Sequence, residues 1–281
     1  MRLARRQNAA LAVKIHHVVN AQQGRGGFFD ALYFRTERIS AHWLNRFAEV
    51  IVCSTPPVEN DWTLLEKQLG LVPREKPVIG YGIDLDQLSY SPSTSKQFEA
   101  VVLGRVHAHK GVFDLPEIWG VVRSRKPDAR LLIVGEGPHR EPLTKAFAAA
   151  GLKDAVIFTG GISDEEKNAL LPQCKLGLSL SREEGWGLSI TEYLAVGLPV
   201  VAMDLPIFHH VFPGVLDLTP MGNVERFADR ILAWLNDSAA TVAAGAQGRK
   251  FVARYDYREV ARAELAVLLD GHRRHQARSA F

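Results

Sequence analysis

The sequence predicts an α/β protein built on a parallel, doubly wound sheet, and three observations carry that expectation. Short apolar or β-branched runs recur at 99–105, 130–134, 155–159, 175–180, 199–203 and 215–218, each of a length that suits a buried strand. Segments with helical periodicity lie between them, so strand and helix alternate as a parallel sheet requires. The run at 175–180 also stops at a polar, glycine-flanked turn that passes into a helical pattern at about Gly187. In an open parallel sheet such a turn lies at the carboxyl end of a strand, where ligands bind.

The 281 residues suffice for one large or two ordinary domains, and 47% apolar residues exclude a disordered chain. A net charge of +3, without a long basic block or an aromatic-basic stripe, argues against a nucleic-acid partner. The apolar runs are too short to span a bilayer. Residues 1–6 are basic, but Lys14, His16 and His17 lie where a secretion signal would need an apolar core. Cys53 and Cys174 both stand at strand positions far apart in sequence and are expected as buried free thiols. A cytoplasmic protein is the expectation, with a peripheral contact at the inner membrane face left open.

Residues 11–19 read as a strand and 20–27 as a glycine-rich turn. A helix is expected over 28–47, where Leu32, Ile39, Trp43, Leu44 and Phe47 recur at helical spacing. A short strand at 50–53, a helix at 60–69 and a strand at 77–81 follow. Asp84-Leu-Asp86 has the form of a metal-binding D-x-D pair, but the Ser/Pro/Thr segment after it reads as a linker. Helices at 222–236, 238–254 and 257–269 close the chain.

The stretch 181–205 carries the chemistry. Gly185 and Gly187 let the backbone approach an anion, and the first amides of the following helix lack internal partners, so a phosphate fits there. Glu184 and Glu192 bracket the turn at an expected separation of about 10 Å. That exceeds the about 5 Å of a retaining hydrolase pair and suits gripping two ends of an extended ligand. By spacing alone, two solvated carboxylates are an equal reading. Gly104-Arg-Val-His-Ala-His-Lys-Gly111 follows the strand at 99–105 and places Arg105 and Lys110 to neutralise phosphate. His107 and His109 form an H-x-H pair with no third ligand at metal spacing, so no metal is expected. The absence of a G-x-G-x-x-G after a first strand argues against a dinucleotide enzyme. His209-His210 and the pair His272 and His275 match no motif and are expected on the surface.

Glu184-Gly-Trp-Gly-Leu188 followed by Glu192 resembles the E-x7-E signature of retaining glycosyltransferases of the GT-B fold, particularly the family-four group. Trp186 and Tyr193 replace that family's usual Phe and Ala. The segments around Gly104–Gly111, Gly135-Glu-Gly-Pro138, Phe158-Thr-Gly-Gly161 and Tyr81-Gly-Ile-Asp84 are similar to further family motifs in the same order, with Tyr81 in place of Asn. The resemblance implies one complete Rossmann-like doubly wound domain, 91–255, that binds the nucleotide sugar. It implies a partial acceptor-side Rossmann-like domain, 1–90, and a helix at 256–281 that crosses back toward it with little to pack on. Roughly 100 residues of the usual N-terminal domain would be absent, an inference from domain size.

The resemblance further implies transfer of a hexose from a nucleoside-diphosphate sugar to a hydroxyl acceptor, glycan, lipid-linked or small, with retention, in cell-wall or polysaccharide biosynthesis. No cofactor is implied. Arg105 and Lys110 would hold the diphosphate with Gly104, Gly185, Trp186, Gly187 and Leu188; Glu184 would sit by the sugar and Glu192 at the ribose. Glu136, Thr159, Gly160 and Gly161 would lie near the nucleotide. One of His16 and His17, at a strand end, would face the sugar or its phosphate, since neighbours on a strand face opposite ways. A binding-only module without an acceptor domain is the alternative.

Overall fold

The computed structural model describes residues 10–16, 18, 28–92 and 96–279. Along the chain run β1 (Ala12–Ile15), α1 (Phe28–Phe47), β2 (Val50–Cys53), α2 (Pro56–Gln68), β3 (Phe98–Leu103) and α3 (Leu115–Arg125). Next come β4 (Leu131–Val134), α4 (Arg140–Ala149), β5 (Val156–Gly160), α5 (Asp164–Leu170), β6 (Cys174–Ser179) and α6 (Leu188–Ala195). Then follow β7 (Val200–Met203), α7 (Pro206–Val211), β8 (Asp217–Thr219), α8 (Val224–Asn236), α9 (Ser238–Val252) and α10 (Tyr257–Ser279). The chain divides into two units, one of Met1–Gly82 with Tyr257–Phe281, the other of Ile83–Asp256.

The second unit is a six-stranded sheet in the order β5-β4-β3-β6-β7-β8, parallel throughout. Every residue of β4 and β7 is buried, as expected of strands covered by helices on both faces. Trp119, Phe147, Phe227 and Ile231 from the helices pack with Leu131, Ile133, Leu176 and Leu178 of the sheet in one core. Polar side chains set the helix starts. Ser163 and Glu166 form a reciprocal capping box at α5, and Asn223 and Asp237 accept backbone amides at α8 and α9. From β3 the chain winds outward to β4 and β5, then returns to place β6 on the other side of β3. That reversal puts a topological switch point between the carboxyl ends of β3 and β6.

In the first unit β1 and β2 pair in parallel, Ala12 with Val50 through Ile15 with Cys53. The strand expected at 77–81 is reduced to a single bridge between Cys53 and Val78. Cys53 N–H donates to Pro77 O and Ile79 N–H to Cys53 O, and the pairing goes no further toward 81 because β2 ends at Cys53 and Thr55 caps the next helix. Helix α2 begins at Pro56 rather than at 60, because Thr55 accepts the Val58 amide and two prolines fill the first turn. Helix α10 continues to Ser279, ten residues past the expected 269, and it has a surface to pack on. Val260 and Val267 lie against Val50, Val52 and Ile79, and Gly271 comes so close to β2 that a Cβ there would sit 2.2 Å from Val50 Cγ2. His275, expected on the surface, is half-buried, its Nδ1 3.3 Å from Glu49 Oε1.

Candidate functional site

The loops that leave β3 and β6 flank the switch point, because these strands pair directly, Ala100 with Leu176 and Val101 with Gly177. The β3 loop is held by main chain. Gly104 N–H donates to Val134 O at 2.9 Å and Val106 N–H to Glu136 O at 3.0 Å, which ties it to the loop after β4. A Cβ on Gly135 would fall 2.0 Å from Gly104 O, and one on Gly111 would fall 2.0 Å from Leu180 O. Only glycine permits these approaches, and both positions also have positive φ, 135° and 66°.

Gly104, Arg105, Lys110, Ser181 and Ser189 line one small cavity at this point. Arg105 is exposed and makes no side-chain hydrogen bond or ion pair with a described residue. Lys110 donates to Glu184 Oε1 at 2.5 Å, and Ser181 Oγ donates to the same oxygen at 2.8 Å. Helix α6 starts behind these groups. Its N-cap, Gly187, has φ of 103° and no side-chain cap, so the first-turn amides are left for a ligand or solvent. A Cβ on Gly187 would meet Phe212 at 3.1 Å, whereas Gly185 has open space around it. Leu188, the first helical residue, is exposed.

A second group gathers at the carboxyl ends of β4 and β5. Gly135 N–H donates to Gly160 O at 3.1 Å, and the Thr159 hydroxyl donates to the same oxygen at 2.9 Å. Glu136 pairs with Arg140 at 2.7 Å, with Gly160 and Gly161 beside it. On the neighbouring helix Glu192 is paired with Lys167 of α5 at 2.6 Å. Lys167 was not singled out in the sequence, where 25 residues separate it from Glu192 and nothing in its spacing connects them. Burial by itself would lower the Lys167 ammonium, but its hydrogen bonds to Asp164 and Glu192 more than offset this and raise its pKa. Ser181 was missed as well, although Ser-x-x-Glu is a recognisable local hydrogen-bonding spacing.

Two aromatic substitutions in the loop and helix turn inward. The Trp186 indole is buried, donates to Thr191 Oγ1 at 3.2 Å and meets the Tyr255 ring edge-on, so only its main chain remains for a ligand. Tyr193 is wholly buried, its ring lying against Gly177, where a Cβ would be 2.3 Å from Tyr193 Cδ2. Its hydroxyl oxygen accepts the Leu103 amide at 2.5 Å, directly before Gly104. Burial pushes the Tyr193 hydroxyl well above its ordinary pKa, so it stays protonated.

His107 and His109 are joined by a third imidazole that the sequence reading did not see, His139, whose ring stands 4.8 Å from that of His107. Desolvation, followed by His109, His139 and Arg105, lowers the His107 pKa. Among the described residues no group of three His, Cys, Asp or Glu has the geometry to hold a metal ion. Asp84 accepts from the Asp86 amide at 3.1 Å and from Gln87 Nε2 at 2.8 Å, a local turn. His209 is exposed and bonded to Asp204. His16 belongs to the first unit, where its Nδ1 lies 2.5 Å from the Tyr81 hydroxyl. His17 lies outside the described residues.

A parallel sheet with this strand order, and a basic loop and an uncapped helix start at its switch point, is the architecture of a nucleotide-binding α/β domain. The comparisons narrow that class. A profile described as "Glycosyl transferases group 1" matches residues 89–251, more than half of the chain. The chain belongs to this family. GDP-mannose:cellobiosyl-diphosphopolyprenol alpha-mannosyltransferase of Xanthomonas campestris is 29% identical over 262 residues, 89% of this chain and 67% of that protein. A GDP-mannose-dependent phosphatidylinositol monomannoside mannosyltransferase of Mycobacterium tuberculosis is 29% identical over 212 residues, 68% of this chain and 54% of that protein. The chain thus spans about two thirds of the first relative's length and about half of the second's.

Among solved structures, Anabaena HepE in complex with UDP-glucose superposes with a TM-score of 0.76 at 19% identity, over 95% of this chain and 74% of that one. Sucrose-phosphate synthase from Thermosynechococcus elongatus gives 0.73 at 20% identity, over 100% and 71%. These likenesses show the fold, which is α/β and GT-B-like. No described helix is long and apolar enough to cross a membrane.

Proposed function

We propose that the chain is a retaining hexosyltransferase that moves a sugar from a nucleoside-diphosphate sugar to a hydroxyl acceptor, with residues 91–255 as the donor domain and 1–90 on the acceptor side. The observation that carries this reading is the cavity shared by Arg105, Lys110 and the first turn of α6. As the bond to phosphate breaks, negative charge grows on the leaving diphosphate and positive character grows at the sugar ring. Arg105 supplies a fork of donors, Lys110 a point charge, and the α6 amides a fixed dipole for the first of these. Gly104 and Gly185 to Leu188 give the backbone approach. Glu184 stands beside the sugar and favours the cationic ring; Glu192 grips the ribose hydroxyls, and Lys167 holds Glu192 in place. Glu136, Thr159, Gly160 and Gly161 line the nucleotide side. His16 or His17 reaches the sugar or its phosphate. The leaving phosphate oxygen accepts the acceptor's proton.

Relatives named for GDP-mannose and for polyprenol- or inositol-linked acceptors support GDP-mannose as the first donor to test and a lipid-linked hydroxyl as acceptor. The same relatives support a role in cell-wall or polysaccharide assembly. The test is titration calorimetry with GDP, UDP and their sugars on the 281-residue chain. Arg105→Ala should weaken nucleoside-diphosphate binding at least about tenfold, the loss of a charge-assisted contact. Unchanged affinity in that variant would overturn the cradle. Turnover of the bound donor, by hydrolysis or transfer, separates the enzyme from a binding-only module.

A further inference from the structure

At the carboxyl end of β1, the His16 ring stacks on Tyr81 with centroids 5.3 Å apart and planes 28° apart, and the Tyr81 hydroxyl lies 2.5 Å from Nδ1. Lys14 Nζ stands 5.4 Å from the centroid of the same tyrosine ring. Lys14 is itself fixed, donating to Gly80 O at 2.8 Å and to Glu264 Oε1 at 2.7 Å. The His16 main chain is held too, since Ser54 N–H donates to Ile15 O at 3.0 Å and Ser54 Oγ to His16 O at 3.4 Å. Tyr81 therefore has its ring placed by a cation and its hydroxyl aimed at one imidazole nitrogen, whereas the imidazole is exposed elsewhere.

We propose that Tyr81 is a positioning residue that donates its hydroxyl proton to His16 Nδ1 and so holds the imidazole as the Nε2–H tautomer. The direction follows from acidity. A neutral phenol is a much stronger hydrogen-bond donor than a neutral imidazole N–H, and a neutral imidazole carries one donor and one acceptor nitrogen. Burial raises the Tyr81 pKa, which keeps that phenol protonated. With Nδ1 committed as acceptor, the ring proton resides on Nε2, where it is a donor directed away from Tyr81. Setting one nitrogen by a bond to the other is how proteins select a histidine's role. A fixed Nε2–H suits an oxygen ligand, a sugar hydroxyl or a phosphate oxygen, and does not suit a metal ion or a proton-accepting role. The ligand part of this inference rests on the reading of His16 given above; the tautomer does not. Tyr81 stands where the resembled N-G-V-D turn has asparagine, so the pinning ring belongs to this chain's departure from that pattern.

The experiment is nitrogen NMR of the full chain labelled with ¹⁵N-histidine, with His16 assigned through His16→Gln, at mildly alkaline pH. The expected wild-type spectrum has His16 Nδ1 at the unprotonated position and Nε2 at the protonated one. Tyr81→Phe keeps the ring and removes the donor, so both signals should move toward the average of the two tautomers while the other histidines stay in place. A His16 protonated at Nδ1 in the wild type overturns the proposal whatever the variant does, and so does an unchanged His16 in a folded Tyr81→Phe protein. Turnover is read separately. Full sugar transfer by His16→Gln would count against the functional reading of His16 and leave the tautomer result as measured.

Discussion

Glu184 Oε1 accepts from two donors, Lys110 and Ser181, so this carboxylate is tied to one of the two cations assigned to the diphosphate. Carboxylate and phosphate then compete for Lys110. Glu184→Gln should lower transfer by about 100-fold or more, as loss of a transition-state electrostatic partner does. The same substitution should tighten nucleoside-diphosphate binding by about two- to fivefold, since a partly exposed pair holds Lys110 by no more than about 1 kcal/mol. Kinetics and calorimetry on one variant check both signs, and weakened binding would overturn the competition for Lys110. Much of this was legible in the sequence. Arg105, Lys110 and Glu184 stand in glycine-flanked loops after apolar runs, and these are the loops the fold brings to the switch point. The Lys110–Glu184 pair was not legible, because 74 residues separate its members and only the switch point brings them together.

At the scale of elements, α2 is secured by an ion pair with no exposed side-chain surface. Lys76 Nζ donates to Glu66 Oε2 at 2.8 Å and to Arg74 O at 2.6 Å, and Asn45 donates to Glu66 Oε1 at 3.2 Å. Lys76→Met leaves a buried carboxylate without its counter-charge and should cost about 3–5 kcal/mol in urea unfolding. Replacing both partners with apolar residues of similar volume should recover most of that loss. The strands of the second unit follow the apolar runs closely, because a parallel sheet covered on both faces needs continuous hydrophobic sequence. Elements whose limits depend on a neighbour were harder to read. The strand expected at 77–81 loses its partner because β2 ends at Cys53 and Thr55 caps the next helix, and α10 runs beyond its apolar periodicity, with Glu49 meeting His275 and Arg278 near its end.

Over the whole molecule the two cysteines behave alike. Burial pushes the thiols of Cys53 and Cys174 from 9.0 up to about 12. Both stay protonated at neutral pH, and the folded chain should show no labelling by a thiol reagent at pH 8 until denaturant is added. Their linkage to stability acts on the alkaline side. Each raised pKa gives stability that is whole below 9.0 and is lost as pH climbs toward about 12, so the unfolding midpoint should fall across that window. Substituting either thiol with alanine or serine should reduce that alkaline dependence.

The stitching between the loops after β3, β4 and β5 consists of peptide groups: Gly104 to Val134, Val106 to Glu136, Gly135 to Gly160, and His139 N–H to Val106 O at 3.2 Å. Side chains contribute little to it, and glycine is required only where two peptide planes nearly touch. A scaffold of this kind separates holding an anion from choosing what the anion is attached to. On the proposed donor reading, residues on the rim can be exchanged to admit another base or sugar while the seat beneath them keeps its shape.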